Sequence, residues 1–245
     1  MKKVLTAMLL VLGVLSAQAQ ETAEFTADRP GASTGPSVVG QGVVQLEQGI
    51  QYDKADLGKT FTFSNTLFRY GLFPNMELRV GGDYFKESGA CASFSGLSAG
   101  TKIKCFDGEG VVPAVSVLAE FAVPGTASSG YNTENLAPSL YLLFENPLND
   151  RLSLGYNLGA EWDGSEPEAV TFAAVCLGCN VAENLGCFVE GYGRFGADDN
   201  VYAMDFGFNW MVGRKLQMDV AADINLKNPS KFWSVSCGLA WQINK

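Results

Sequence analysis

Histidine is missing altogether from the 245 residues of this chain. Its absence removes the usual base of a serine or cysteine triad and the commonest metal-binding side chain. Charged residues are also scarce, at 18% of the chain, and beyond residue 20 no apolar run approaches the ~20 residues of a membrane-spanning helix. Basic residues are the rarer charge, 17 against 26 acidic, for a formal charge of −9. No basic face is on offer to nucleic acid or anionic lipid, so neither is expected as a partner. Lys2 and Lys3, the apolar stretch 4–15 and the small residues ending in Ala17-Gln18-Ala19 have the form of a secretory signal peptide over 1–19. Glycine, with 28 residues, and aromatic side chains, at 11%, are plentiful. An exported chain of this composition fits a soluble β-protein or a transmembrane barrel.

The clearest pattern is RLSLGYNLGAEW at 151–162. Leu152, Leu154, Tyr156, Leu158, Ala160 and Trp162 share one face, opposite Arg151, Ser153, Gly155, Asn157, Gly159 and Glu161. Strict alternation over this length predicts a strand with one apolar and one polar face, long enough to cross a bilayer at a tilt. Similar units recur at 44–52, 60–70, 77–84, 97–105, 111–123, 139–145, 169–179, 186–195, 202–210, 216–225 and 233–243. Two of them break frame. In 60–70, Phe61, Phe63 and Leu67 share parity with Arg69, which predicts a bulge or an inward aromatic; in 111–123, Leu118 falls on the polar face.

About twelve strands is an even number, as bacterial barrels require when both ends lie in the periplasm. GLFPN, DGEG, NPLND, VAEN and GRK supply tight turns, while 53–59, 87–93, 124–134, 163–168, 196–200 and 227–231 supply longer loops on the other side. Tyr52, Tyr84, Trp162, Tyr202 and Trp233 lie toward the long loops, and Tyr70, Phe144, Trp210 and Trp241 toward the short turns, as two interfacial girdles would. The expected fold is all-β: a single antiparallel up-and-down transmembrane barrel over 42–245, after a signal peptide at 1–19 and an irregular periplasmic leader at 20–41.

In such a barrel the polar faces line the interior. The candidates are Glu47, Glu77, Arg79, Asp83, Lys102, Lys104, Glu120, Glu161, Glu190, Arg194, Asp205, Asp219 and Asp223, with Glu145 and Arg151 on the same faces. They either bound a solute path or pair into a brace, since twelve strands fall between filled eight-stranded and open sixteen-stranded barrels. The excess of acids disfavours anions in an open pore.

ADRPGASTGPSVVGQGVVQLEQGIQYD at 27–53 and NTLFRYGLFPNMELRVGGDY at 65–84 resemble the outer-membrane family named after the MetA pathway of phenol degradation. The likeness is carried by the Asp-Arg-Pro leader before a G-x-x-x-x-E strand and by R-Y-G-L followed by N-x-E-L-R, and it extends to ENLGCFVEGYG at 183–193. The resemblance implies a monomeric barrel among outer-membrane lipids, passing small, often aromatic or apolar, molecules.

Other motifs dissolve on inspection. GASTG at 31–35 and GLSAG at 96–100 match the hydrolase elbow but have no histidine to serve them. GYGRFG at 191–196 has no following helix to receive a pyrophosphate. Cys176 and Cys179 have opposite parity, and Cys91, Cys105 and Cys237 lie on other segments, so no tetrahedral zinc set forms. A disulfide near the 176–187 hairpin and plain apolar packing both remain open. The expectation is a passive channel or transporter without catalysis, cofactor or metal; the alternative is a structural or adhesive barrel with an occluded lumen.

Overall fold

The computed structural model describes residues 25–56, 58–196 and 200–243, so the signal-peptide reading and the start of the leader lie outside the described residues. Thirteen strands form one antiparallel sheet: β1 (Val44–Ala55), β2 (Gly58–Phe73), β3 (Met76–Glu87), β4 (Ala92–Phe94), β5 (Ser98–Phe106), β6 (Ala114–Ala122), β7 (Ala137–Pro147), β8 (Leu152–Glu161), β9 (Val170–Ala182), β10 (Leu185–Phe195), β11 (Val201–Met211), β12 (Leu216–Asn225) and β13 (Trp233–Gln242). Twelve close into an up-and-down barrel, sealed where β1 pairs with β13 from Gln45 opposite Gln242 to Lys54 opposite Trp233. The three-residue β4 only extends the long-loop end of β3.

Two connections differ from expectation. The β1–β2 loop is short, because the ladder continues up to Ala55 opposite Gly58. The DGEG hairpin is longer than its residues suggest, since β6 starts only at Ala114. Pro113 has no N–H for the ladder, and Gly108 and Gly110 take positive φ in the intervening turn.

Burial is inverted relative to a soluble protein. Phe68, Phe206, Phe208 and Val220 point outward and are 47–52% exposed, whereas Arg69, Glu77 and Lys102 point inward and are fully buried. A closed sheet leaves no unpaired edge, and its apolar outer band suits hydrocarbon. Aromatic pairs mark both rims: Tyr52 against Trp233 at 5.6 Å by the long loops, and Phe144 stacked on Tyr156 at 5.0 Å near the short turns.

The frame break in β2 is a bulge. Asn65 faces Gly49 and Thr62 faces Gln51, so β2 advances three residues while β1 advances two. Phe63 and Ser64 consequently share the outer face, Phe61 and Phe63 pack on each other at 4.8 Å, and Arg69 is delivered inward. On the outer face Gln48 bonds Ser64 at 3.0 Å and accepts from Thr66 at 2.8 Å, so these polar groups satisfy one another.

The leader departs most from expectation. Residues 25–41 are irregular, as expected, but they run inside the barrel instead of lying in the periplasm. Their amides and carbonyls meet side chains of β1, β3, β5, β6, β8, β11 and β12. Irregular backbone carries polar groups that lipid cannot satisfy, and a polar lumen can.

Candidate functional site

The thirteen candidate residues all sit on inward-facing positions of their strands, but the leader engages many of them and decides what they meet. Asp28 is its anionic anchor. Lys102 donates to Asp28 Oδ1 at 2.8 Å, Arg79 pairs with Asp28 Oδ2, and Arg69 lies 3.5 Å away. Burial alone would raise the Asp28 pKa, but the positive charges of Arg69, Lys102 and Arg79 outweigh it and hold the carboxyl below the usual range. Arg69 also donates to Glu47 at 2.8 Å and to both oxygens of Glu77 at 2.8 and 2.9 Å. Arg79 bridges Glu77 and Glu120, at 2.9 and 2.7 Å. This network ties β1, β2, β3, β5 and β6 to one leader carboxylate. A half-broken set of this kind is costly, because each buried charge depends on its neighbours.

Arg29, the next residue, is the cationic anchor. Its guanidinium donates to Asp219 at 3.0 and 3.3 Å and to Asn65 at 3.2 Å, while Gln217 donates to its carbonyl. Gly49 and Gly238 leave the space it occupies; a Cβ on Gly49 would lie 2.2 Å from the guanidinium. Farther along, Ala32 N–H donates to Asp205, Ser33 to Glu190, and Asn157 brackets Thr34 with bonds of 2.8 and 3.0 Å. Ser116 donates to the Pro36 carbonyl, and Val39 N–H to Glu77 at 2.8 Å. Buried Val38, Val39 and Val43 complete the packing toward the short-turn end.

Above this floor a cavity of about 570 Å³ extends toward the long loops, lined by Asp53, Asp205, Asp223, Tyr192 and Trp233 among others. A smaller space of about 90 Å³ lies on the opposite side of Ala32 and Thr34, against Leu118, Leu143 and Phe172. There Arg194 donates to Glu161 at 3.0 Å and stands 5.1 Å from the Phe172 ring centre. Asp83 bonds Asn65, Glu145 stays on the inner face of β7, and Lys104 pairs with Asp107 at the short-turn rim. Arg151 falls in the exposed β7–β8 turn.

Three anchors, Asp28, Arg29 and Arg69, were not among the candidates. Their signal was present in the motifs ADRPG and RYGL, without a period to place it. The six cysteines are free thiols. Cys179 and Cys187 are cross-strand partners, while Cys176 lies opposite Glu190 on the inner face. No group of three or more metal-ligating side chains occurs among the described residues.

Solved structures with this fold include the COG4313 outer membrane channel from Pseudomonas putida F1, 12% identical with a TM-score of 0.64 over 87% of this chain and 98% of that one. The KdgM porin in complex with disordered oligogalacturonate is 10% identical, TM-score 0.58, over 81% and 99%. The NanC porin is 8% identical, TM-score 0.59, over 81% and 100%. No curated protein matches the chain by sequence. The family described as "Putative MetA-pathway of phenol degradation" matches residues 27–243, from the Asp28-Arg29-Pro30 leader to the end of the last strand, and the chain belongs to that family.

Proposed function

We propose that the protein is a passive channel of the bacterial outer membrane, monomeric and non-catalytic, admitting small molecules through its lumen. The observation that carries this reading is the pairing of a roughly 570 Å³ polar vestibule with an irregular, non-strand segment as its floor. A wall strand cannot leave without breaking the barrel, whereas a leader held by side-chain bonds can shift. The similar structures are described as channels and porins, which supports the same reading. The oligogalacturonate of the KdgM structure is a polyanion and does not suit this lumen, whose acids outnumber its bases. Small neutral, aromatic or apolar solutes remain the proposed cargo, following the family resemblance.

The tightly bonded leader favours a second reading, a barrel whose lumen stays shut and whose loops are the working surface. Flux in reconstituted vesicles separates the two. The channel reading expects a measurable flux of a small neutral solute and a larger one when the leader is unseated. A sealed bilayer in both cases, with the barrel correctly folded, defeats it.

A further inference from the structure

The β9–β10 hairpin carries a pair of thiols that neither the leader nor the vestibule employs. Cys179 on β9 stands directly opposite Cys187 on β10, and the two side chains interact. Both face outward, as do Leu177 and Val189, two residues along each strand. On their far sides Cys179 meets Leu152 and Cys187 meets Phe208, so no other described cysteine is a direct cross-strand partner of either. Cys176 is on the opposite face, against Glu190. The pair lies close to the short-turn rim: Leu185, which opens β10 opposite Trp210, is only two residues from Cys187.

Backbone bonding fixes what kind of pair this is. Asn180 N–H donates to the Arg151 carbonyl at 2.8 Å, toward β8, so Cys179, one residue earlier, turns its own N–H and C=O toward β10. Met211 N–H donates to the Asn184 carbonyl at 2.9 Å, so even-numbered residues of β10 bond β11 and Cys187 bonds β9. The cysteines are therefore a hydrogen-bonded cross-strand pair, with Cα atoms about 5.5 Å apart. That falls inside the roughly 4.4–6.8 Å range of disulfides, so the bond can close on this backbone. The Cβ atoms of such a pair start near the ~5.5 Å end of cross-strand spacings, whereas a relaxed disulfide wants about 3.5–4.5 Å. Closing draws them together against the ladder, and a strained S–S bond is easier to reduce.

We infer that Cys179 and Cys187 form a reversible redox site, which closes as a disulfide under a disulfide oxidant and reopens under a thiol reductant. The step proceeds by exchange. The thiolate of one cysteine attacks a sulfur of an external disulfide, small-molecule or protein, and expels one half as a thiolate. The second cysteine thiolate attacks the mixed disulfide and expels the other half. The two protons from the cysteines pass to the departing thiolates, so the hairpin loses two electrons and the external disulfide is reduced to two thiols. Reduction returns the dithiol, the state in which both cysteines are open to labelling. The inference goes beyond the channel reading and takes from it only the oxidising surroundings of an exported protein.

The test equilibrates the folded, detergent-solubilised protein in glutathione buffers, then blocks free thiols and cleaves after Glu183, which lies between the two cysteines. In excess glutathione disulfide the two fragments should stay joined, lighter by two hydrogen atoms than the separate pair. Excess reduced glutathione should part them. Cys179→Ser and Cys187→Ser should each abolish the joined fragments and Cys176→Ser should keep them, with folding of each variant checked by heat-modifiable gel migration. Thiols that stay reduced in the folded protein, that each retain glutathione, or that link separate copies on a non-reducing gel overturn the site. So does a joined pair that survives Cys179→Ser. A bond that withstands excess reduced glutathione overturns its reversibility. Every outcome is read without solute flux, so the site and the channel stand or fall separately.

Discussion

Gly49 and Gly238 are direct cross-strand partners at the β1–β13 seam, and the flat guanidinium of Arg29 covers them both. The nearest neighbours of an added Cβ on Gly49 are all guanidinium atoms, at 2.2 to 2.6 Å, so a methyl group there displaces a flexible side chain and leaves the backbone in place. Gly49→Ala should therefore keep the barrel folded and loosen Arg29 from Asp219. Single-channel recording should show conductance several-fold above wild type. Unchanged conductance in a folded variant would mean that the Arg29 seat does not hold the leader.

Arg69 is the hub of the opposite anchor. Arg69→Met removes the cationic partner of Glu47, the two-point donor to Glu77, which keeps Arg79, and one of the three cations around Asp28, leaving buried carboxylates short of charge. Breaking a buried network in this way costs about 3–5 kcal/mol. The expected readout is a lower temperature for loss of the compact, heat-modifiable form. A variant as heat-resistant as wild type would contradict the bonding described.

Because Asp28 titrates below the usual carboxylate range, its contribution is complete above the unfolded pKa and is lost only as pH falls through the lowered folded value. Leader seating should thus hold from neutral pH down through pH 4, and weaken only in stronger acid. Asp28→Asn should remove the charge at every pH and raise neutral-pH conductance. A conductance rise centred near the ordinary carboxylate pKa in wild type would place the pH control on another group.

Cysteine labelling reads the two faces separately. Cys176 lies inside, beside Ser33 of the leader and Glu190, whereas Cys179 and Cys187 are paired on the outer face. A charged maleimide should reach Cys176 slowly in wild type and faster in Gly49→Ala. A lipid-soluble maleimide should label Cys179 and Cys187 alike in both proteins. Fast charged labelling of Cys176 in wild type would show that the leader does not cover it.

The strands were legible because alternation is local: each needs only its own residues to declare a face. The bulge in β2 was legible as a conflict, since Phe61 and Phe63 share parity with Arg69 and a regular strand would have put all three on one side. Leu118 looked misplaced for the same reason and is not; it turns inward at 3% exposure to line the small space against Ala32 and Thr34. The path of the leader was illegible. An irregular segment has no period, and its partners are spread from Glu47 to Asp219, residues that sequence distance keeps apart. Inward position could be read for Glu77 or Asp205, but whether each meets solute, water or the leader depends on that path.

The leader passes into β1 through Gly42, whose amide bonds the Gly71 carbonyl at 2.8 Å, so the stopper and the wall are one covalent piece. A stopper on a leash cannot be diluted away. Its return is an intramolecular collision with a high effective concentration, independent of how many copies the membrane holds. Opening should accordingly appear as brief, self-terminating flicker in each molecule.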